Sequence, residues 1–141
     1  KLAPAKALGA DQVINYRTKP EWAKDALELT GKTGVDHIVE VGGKDTLAQS
    51  IEAAAPGGHI TIIGLLSGLP GQIDALSVFR KNLRVIGISV GSREQFDAMC
   101  QAIGEHKLKP VIDRSFPFGR VPDALRLMKT GEHCGKISDD Y

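Results

Sequence analysis

The sequence predicts an α/β fold: a doubly wound parallel sheet. Three observations predict it. Short apolar runs of strand period alternate with amphipathic stretches of helical period along most of the chain. The links between them are short, which implies strand–helix–strand units with right-handed crossovers. The runs around Ile38 and Ile60 are almost continuously apolar, as expected of strands covered on both faces.

The elements follow in order. Residues 2–8 read as the end of a helix, closed by Gly9 where a left-handed cap is favoured. Residues 12–16 read as a short strand around Val13 and Ile14. Pro20 then opens a helix at a position that tolerates its missing amide, and Trp22, Ala23, Ala26, Leu27 and Leu29 form its apolar stripe up to Gly31. A strand over 35–41 stops at Gly42-Gly43. A helix over 46–55 is broken by Pro56-Gly57-Gly58, and a strand over 59–63 ends in Gly64. After a loop over 65–71 come a helix over 73–81, a strand over 83–88 and a helix over 93–106 that carries Phe96, Met99, Cys100 and Ile103. The character changes after Lys109-Pro110, where a short strand at 111–113, a helix over 122–129 and a segment at Lys136-Ile137 form a tail.

Composition narrows the function classes. With 141 residues there is room for one domain of ordinary size and a real core. Eighteen basic and seventeen acidic residues are interspersed, so no basic stripe points to nucleic acid. No apolar run is long enough to span a bilayer. Two cysteines, Cys100 and Cys134, suit a reducing, cytoplasmic setting. The chain opens on Lys1-Leu2-Ala3 without an initiator methionine, and is expected to be part of something larger.

Chemistry is expected at the strand ends, because ligands of open parallel sheets bind beyond the carboxyl ends of the strands. Those ends are Asn15-Tyr16, Val41-Gly42-Gly43, Ile63-Gly64-Leu65 and Ile88-Ser89-Val90-Gly91. Glycine at such a position lets a ligand approach the backbone and frees amides and carbonyls to bind it; it also simply makes turns. Elsewhere the residues point away from chemistry. His37 and His59 read as polar residues at strand starts, and Asp36 and Glu40 as edge and turn carboxylates. Cys100 reads as core and Cys134 as an exposed thiol. No histidine has a partner at metal-ligand spacing except the adjacent pair His133-Cys134, so no metal site is expected.

The landmarks Ala7-Leu8-Gly9-Ala10-Asp11, Val13-Ile14-Asn15-Tyr16-Arg17, Gly34-Val35-Asp36, Val41-Gly42-Gly43 and Pro56-Gly57-Gly58-His59-Ile60 stand in that order. Ile63-Gly64, Asn82-Leu83-Arg84-Val85-Ile86-Gly87-Ile88, Asp113-Arg114-Ser115-Phe116-Pro117-Phe118 and Gly135-Lys136 continue the series. Together they resemble the medium-chain dehydrogenase/reductase superfamily, in its zinc-type alcohol dehydrogenase and quinone oxidoreductase branches. The resemblance implies a Rossmann-like doubly wound parallel sheet, incomplete and lacking its first two strands, with residues 1–108 a partial dinucleotide-binding domain and 109–141 a tail returning to a catalytic domain. It also implies hydride transfer between NADP or NAD, with NADP slightly favoured, and an alcohol, carbonyl or quinone.

By resemblance, Lys1 and Tyr16 lie near the adenosine ribose or its 2′-phosphate, and Gly42 and Gly43 pass beneath the adenosine side. The backbone of Ile63, Gly64 and Leu65, and of Ile88, Ser89 and Val90, faces the nicotinamide, while Lys136 approaches the cofactor near the chain's end. No residue is assigned a catalytic role, and zinc would belong only to the absent catalytic domain. The resemblance further implies a homodimer through the edge strand from Leu83 to Ile88. The glycine-rich phosphate turn does not occur in this sequence, so the isolated chain is expected to be inactive. Beyond Ile137, Ser138-Asp139-Asp140-Tyr141 departs from the apolar strand expected there. Two other readings stand beside this one: a non-catalytic nucleotide-binding or interaction module, and an S-adenosylmethionine-dependent methyltransferase piece suggested by Glu40-Val41-Gly42-Gly43.

Overall fold

The computed structural model describes residues 1–69 and 72–141. Contacts divide the chain into two compact units, one holding residues 2 and 4–90, the other residues 1, 3 and 91–141. The loop expected over 65–71 lies partly outside the described residues.

The first unit contains α1 (Leu2–Ala7), α2 (Trp22–Leu29), β1 (Val35–Glu40), α3 (Leu47–Ala53), β2 (Ala54–Ile62), α4 (Ala75–Arg80) and β3 (Arg84–Gly87). Its sheet is parallel, in the order β1-β2-β3, so the α/β expectation holds. Val35 pairs with Ala54 and His37 with His59, which leaves residues 55–58 bulged against Asp36. The Pro56-Gly57-Gly58 break therefore lies inside β2, and the Gly57 amide is held by the Lys81 carbonyl at 2.7 Å. Lys81 also caps α3: its ammonium donates to the carbonyls of Ile51, Glu52 and Ala54 at 3.1, 2.6 and 3.0 Å.

Register decides which side chains share a face. Ile38, Ile60 and Val85 align across the sheet, and α3 and α4 cover them with Leu47, Ile51 and Val78; Ile60 is fully buried. Each such apolar side chain contributes about 1.5–3 kcal/mol when buried. Beside this core, Ala23 and Ala26 of α2 pack on Ala53, with Ile14, Trp22 and Val35 around them. Gln49 of α3 accepts from the Ala23 amide at 2.9 Å and so satisfies a donor in the first turn of α2.

The opposite face carries Val39, Thr61 and Ile86, with Val41, Ile63 and Ile88 continuing it. Val39 is 63% exposed there and Ile86 52%. This corrects the expectation that the Ile38 and Ile60 strands are covered on both faces: all the packed helices of this unit lie on one side.

Residues 12–16 form no strand, which is a second correction. A strand exists only through ladder partners, and none of the described residues pairs with this segment. Ile14 still packs into the alanine cluster, and the Asn15 carbonyl accepts from the amides of Thr18 and Lys19. Periodicity found the burial and not the pairing.

The second unit contains α5 (Arg93–Glu105), β4 (Ile112–Pro117), α6 (Val121–Thr130) and β5 (Lys136–Asp140). A capping box starts α5: the Gln95 amide donates to Ser92 Oγ at 3.2 Å and the Ser92 amide to Gln95 Oε1 at 2.8 Å. The helix has no buried residues, so Cys100, expected in a core, is exposed. Strands β4 and β5 pair in parallel, and the polar end Ser138-Asp139-Asp140 is part of β5. Ser115 and Ser138 join their hydroxyls at 2.7 Å, and the Phe118 and Tyr141 rings stack at 5.1 Å. Pairing there is carried by backbone and small polar contacts in place of apolar burial.

Candidate functional site

The β2–β3 ladder ends where the Ile88 amide donates to the Ile62 carbonyl at 2.9 Å. Beyond that bond the two chains part, and a groove of about 690 Å³ opens between them. Ile62, Ile63, Gly64, Leu65, Gly87, Ile88, Ser89 and Val90 line it. Six of the residues expected to bind cofactor thus meet in one place: Ile63, Gly64, Leu65, Ile88, Ser89 and Val90. Among the described residues, no protein group accepts from the amides of Gly64, Leu65, Ser89 or Val90. The site is an apolar cleft, four of whose lining residues carry amides that meet no acceptor among the described residues.

The glycines after β1 behave differently. The carbonyl of Gly42 accepts from the Ser67 amide at 2.7 Å and from Ser67 Oγ at 2.9 Å. The carbonyl of Gly43 accepts from the amides of Thr46 and Leu47. Both amides are consumed as well, donating to Glu40 Oε1 at 2.7 and 3.0 Å. The expectation of free backbone groups at Gly42 and Gly43 is therefore corrected. Glycine is required here by the fold itself: a side chain at Gly42 would strike Thr46, and Gly43, at φ +90°, would strike the Gly68 carbonyl. What a ligand can meet here is the bare Cα surface.

Glu40, expected at an edge or turn, is instead buried, with only 3% of its surface exposed. Besides the two amides it accepts Thr46 Oγ1 at 2.5 Å and the Ser50 hydroxyl. Burial alone would raise its carboxyl. The hydroxyls of Ser50 and Thr46, with the amides of Gly43 and Gly42, outweigh that and hold it below the ordinary glutamate range. The sequence signal was available in the spacing: a carboxylate closing a strand, followed by two glycines, Thr46 and Ser50.

The remaining expected residues are not among those that line the groove. Tyr16 is exposed and lines neither the groove nor the polar cleft of about 480 Å³ formed by residues 12–15, 18, 19, 25, 28 and 29. That cleft presents Asp25 and Glu28, and Lys19 is paired with Asp25, so it offers no unpaired cation to a phosphate. Lys1 groups with the second unit, where its ammonium donates to the Gly131 carbonyl at 2.5 Å. Lys136 is an exposed residue of β5 whose amide is held by Val111 at 2.7 Å.

Cross-strand register brings His37 and His59 together, their rings edge to face at 5.0 Å. Two imidazoles are half of a tetrahedral donor set, and no group of three or more metal-ligating side chains occurs among the described residues. The residues present do not fit zinc. Cys134, expected to be exposed, is half-buried, and its amide donates to Asp113 at 2.9 Å. None of the described helices is long and apolar enough to cross a membrane.

Comparison with known proteins agrees with this architecture. The zinc-binding dehydrogenase family profile matches residues 8–137. A zinc-type alcohol dehydrogenase-like protein of Schizosaccharomyces pombe is 37% identical over 97% of this chain and 41% of its own length. A quinone oxidoreductase-like protein 2 homolog of Nematostella vectensis is 29% identical over 97% of this chain and 40% of its own. The crystal structure of an NAD-dependent alcohol dehydrogenase superposes with a TM-score of 0.85 at 36% identity, covering 97% of this chain and 40% of that one. The chain thus spans about 40% of the length of these relatives. A match over residues 8–137 on a Rossmann-like parallel sheet assigns the chain to the zinc-binding dehydrogenase family, within the medium-chain dehydrogenase/reductase superfamily.

Proposed function

We propose that the chain supplies the strand-end edge of a nicotinamide site in an oxidoreductase that moves hydride between NAD(P)H and an alcohol, carbonyl or quinone. The observation that carries the reading is the groove between β2 and β3, where the amides of Gly64, Leu65, Ser89 and Val90 have no acceptor among the described residues and the walls are apolar. The cofactor supplies the hydride when bound; the chain's part is to orient the ring by main-chain bonds and keep water from one side of it. Gly42 and Gly43 offer a flat backbone surface to the adenosine half. Lys1, Tyr16 and Lys136 are proposed as outer contacts, and a lysine and phenol near the ribose favour NADP slightly.

The chain is proposed to work in the cytoplasm as a homodimer, joined through β3, whose outer edge has no strand partner among the described residues. Without a glycine-rich phosphate turn its own hold on dinucleotide is weak, and the 141-residue polypeptide turns over no substrate. Titration of the polypeptide with NADPH, followed by nicotinamide fluorescence and by carbonyl reduction, tests both statements. Weak saturable binding without turnover is expected. Turnover by the pure polypeptide contradicts the proposed inactivity, and a response to S-adenosylmethionine instead of NADPH contradicts the oxidoreductase reading.

A further inference from the structure

We propose that Glu40 is the positioning residue of the binding edge: through one buried carboxylate it sets the Gly42-Gly43 turn, and through that turn the wall of the groove. The inference rests on the reading of the groove as the cofactor site. Its first link is the carboxylate, which gathers the Gly42 and Gly43 amides, Thr46 Oγ1 and the Ser50 hydroxyl in a space closed to solvent. This ties the end of β1 to α3. The second link runs outward. With its amide fixed, Gly42 presents its carbonyl to Ser67 N and Oγ at 2.7 and 2.9 Å. Val41 accepts from the Leu66 amide at 3.1 Å, and the Gly68 carbonyl accepts from Lys44 at 3.0 Å.

The third link is contact. A Cβ built on Gly43 would lie 2.6 Å from the Gly68 carbonyl and 2.9 Å from the Leu65 side chain, so the turn and the groove wall touch. Leu65 lines the groove. Moving the Gly42-Gly43 turn therefore moves residues 65–68, although the Glu40 carboxylate makes no hydrogen bond to a described groove residue; only the Glu40 main-chain carbonyl does, accepting from the Ile63 amide at 2.9 Å as part of the ladder. Its charge matters because two amides and two hydroxyls converge on it, and a neutral amide accepts more weakly than a carboxylate.

The test compares isotope-labelled wild type with Glu40→Gln, whose shape is nearly unchanged. Amide exchange is read at Gly42, Gly43 and Ser67 against Ile60 in the core, and NADPH-induced shifts are read at Gly64 and Leu65. In Glu40→Gln the Gly42 and Gly43 amide protons move upfield and exchange about tenfold faster, Ser67 follows, and Ile60 is unchanged. Several-fold more NADPH is then needed to shift Gly64 and Leu65. Unchanged exchange at Gly42, Gly43 and Ser67 overturns the proposal, as does an equal acceleration at Ile60, which marks a merely structural role. Should Glu40→Gln fail to fold, Thr46→Val removes one hydroxyl donor only, and the same local loosening is expected or the proposal falls. Absence of NADPH-induced shifts in wild type removes the cofactor reading, while the exchange data still decide what Glu40 does.

Discussion

Ile88 donates its amide to the Ile62 carbonyl at 2.9 Å, and this last bond of the ladder fixes where the groove begins. In a parallel pair, alternate residues bond the same neighbour. Since Ile88 bonds inward to β2, the amide of Gly87 is directed outward along the free edge of β3. A Gly87→Pro substitution therefore removes an outward donor and leaves the inward bonds. If chains associate through β3, sedimentation will show a dimer for wild type and a monomer for Gly87→Pro. A wild-type monomer contradicts the proposed interface.

The two glycine turns separate strain from collision. Gly57 has φ +76° with open space around its missing side chain, so Gly57→Ala should cost about 1 kcal/mol from backbone conformation alone. Gly43 combines φ +90° with the Gly68 carbonyl in the way, so Gly43→Ala should cost roughly 2 kcal/mol or more. Urea unfolding of both variants checks the order. Equal losses would mean that the contact between the turn and residues 65–68 is dispensable.

Lys81 is predicted to stabilise through its ammonium and not its stem. Three carbonyls at the end of α3 receive it, so Lys81→Met should lose about 1–2 kcal/mol despite a similar volume. Chemical denaturation measures the loss, and Lys81→Arg should recover part of it.

Glu40 also sets a pH dependence. Its folded-state carboxyl is held below that of an unfolded glutamate by the Ser50 and Thr46 hydroxyls and the Gly43 and Gly42 amides, which outweigh burial. The stabilisation is therefore fully present above the unfolded value and is lost as pH falls through the lower folded one. Urea midpoints measured from neutral pH downward should fall more steeply in wild type than in Glu40→Gln. Parallel curves would show that the carboxylate carries no such linkage.

Most of the parallel architecture was legible in the sequence, because the 35–41, 59–63 and 83–88 runs carry their own apolar periodicity. Residues 12–16 show the limit. Val13 and Ile14 have the composition of a strand, yet strand pairing depends on a neighbour, which no local pattern encodes. The stripe Phe96, Met99 and Ile103 on α5 likewise announced an apolar face and not its burial; all three are exposed. In the candidate site, the strand-end rule found the groove residues, since glycines and the ends of apolar runs mark it. It overreached at Gly42 and Gly43, where the same glycines serve an internal carboxylate. Telling the two cases apart needed the register that puts Glu40 on the buried face, next to Ser50 and Thr46.

The proposed role of the main-chain donors beyond the β2–β3 ladder is to hold the nicotinamide end of a dinucleotide. The most direct measurement is an amide-resolved NMR titration of the labelled chain with NADPH and NADH. Concentration-dependent shifts are expected, concentrated at Gly64, Leu65, Ser89 and Val90, with smaller ones at Gly42 and Gly43. Saturating cofactor that leaves those four amides unmoved would contradict that role.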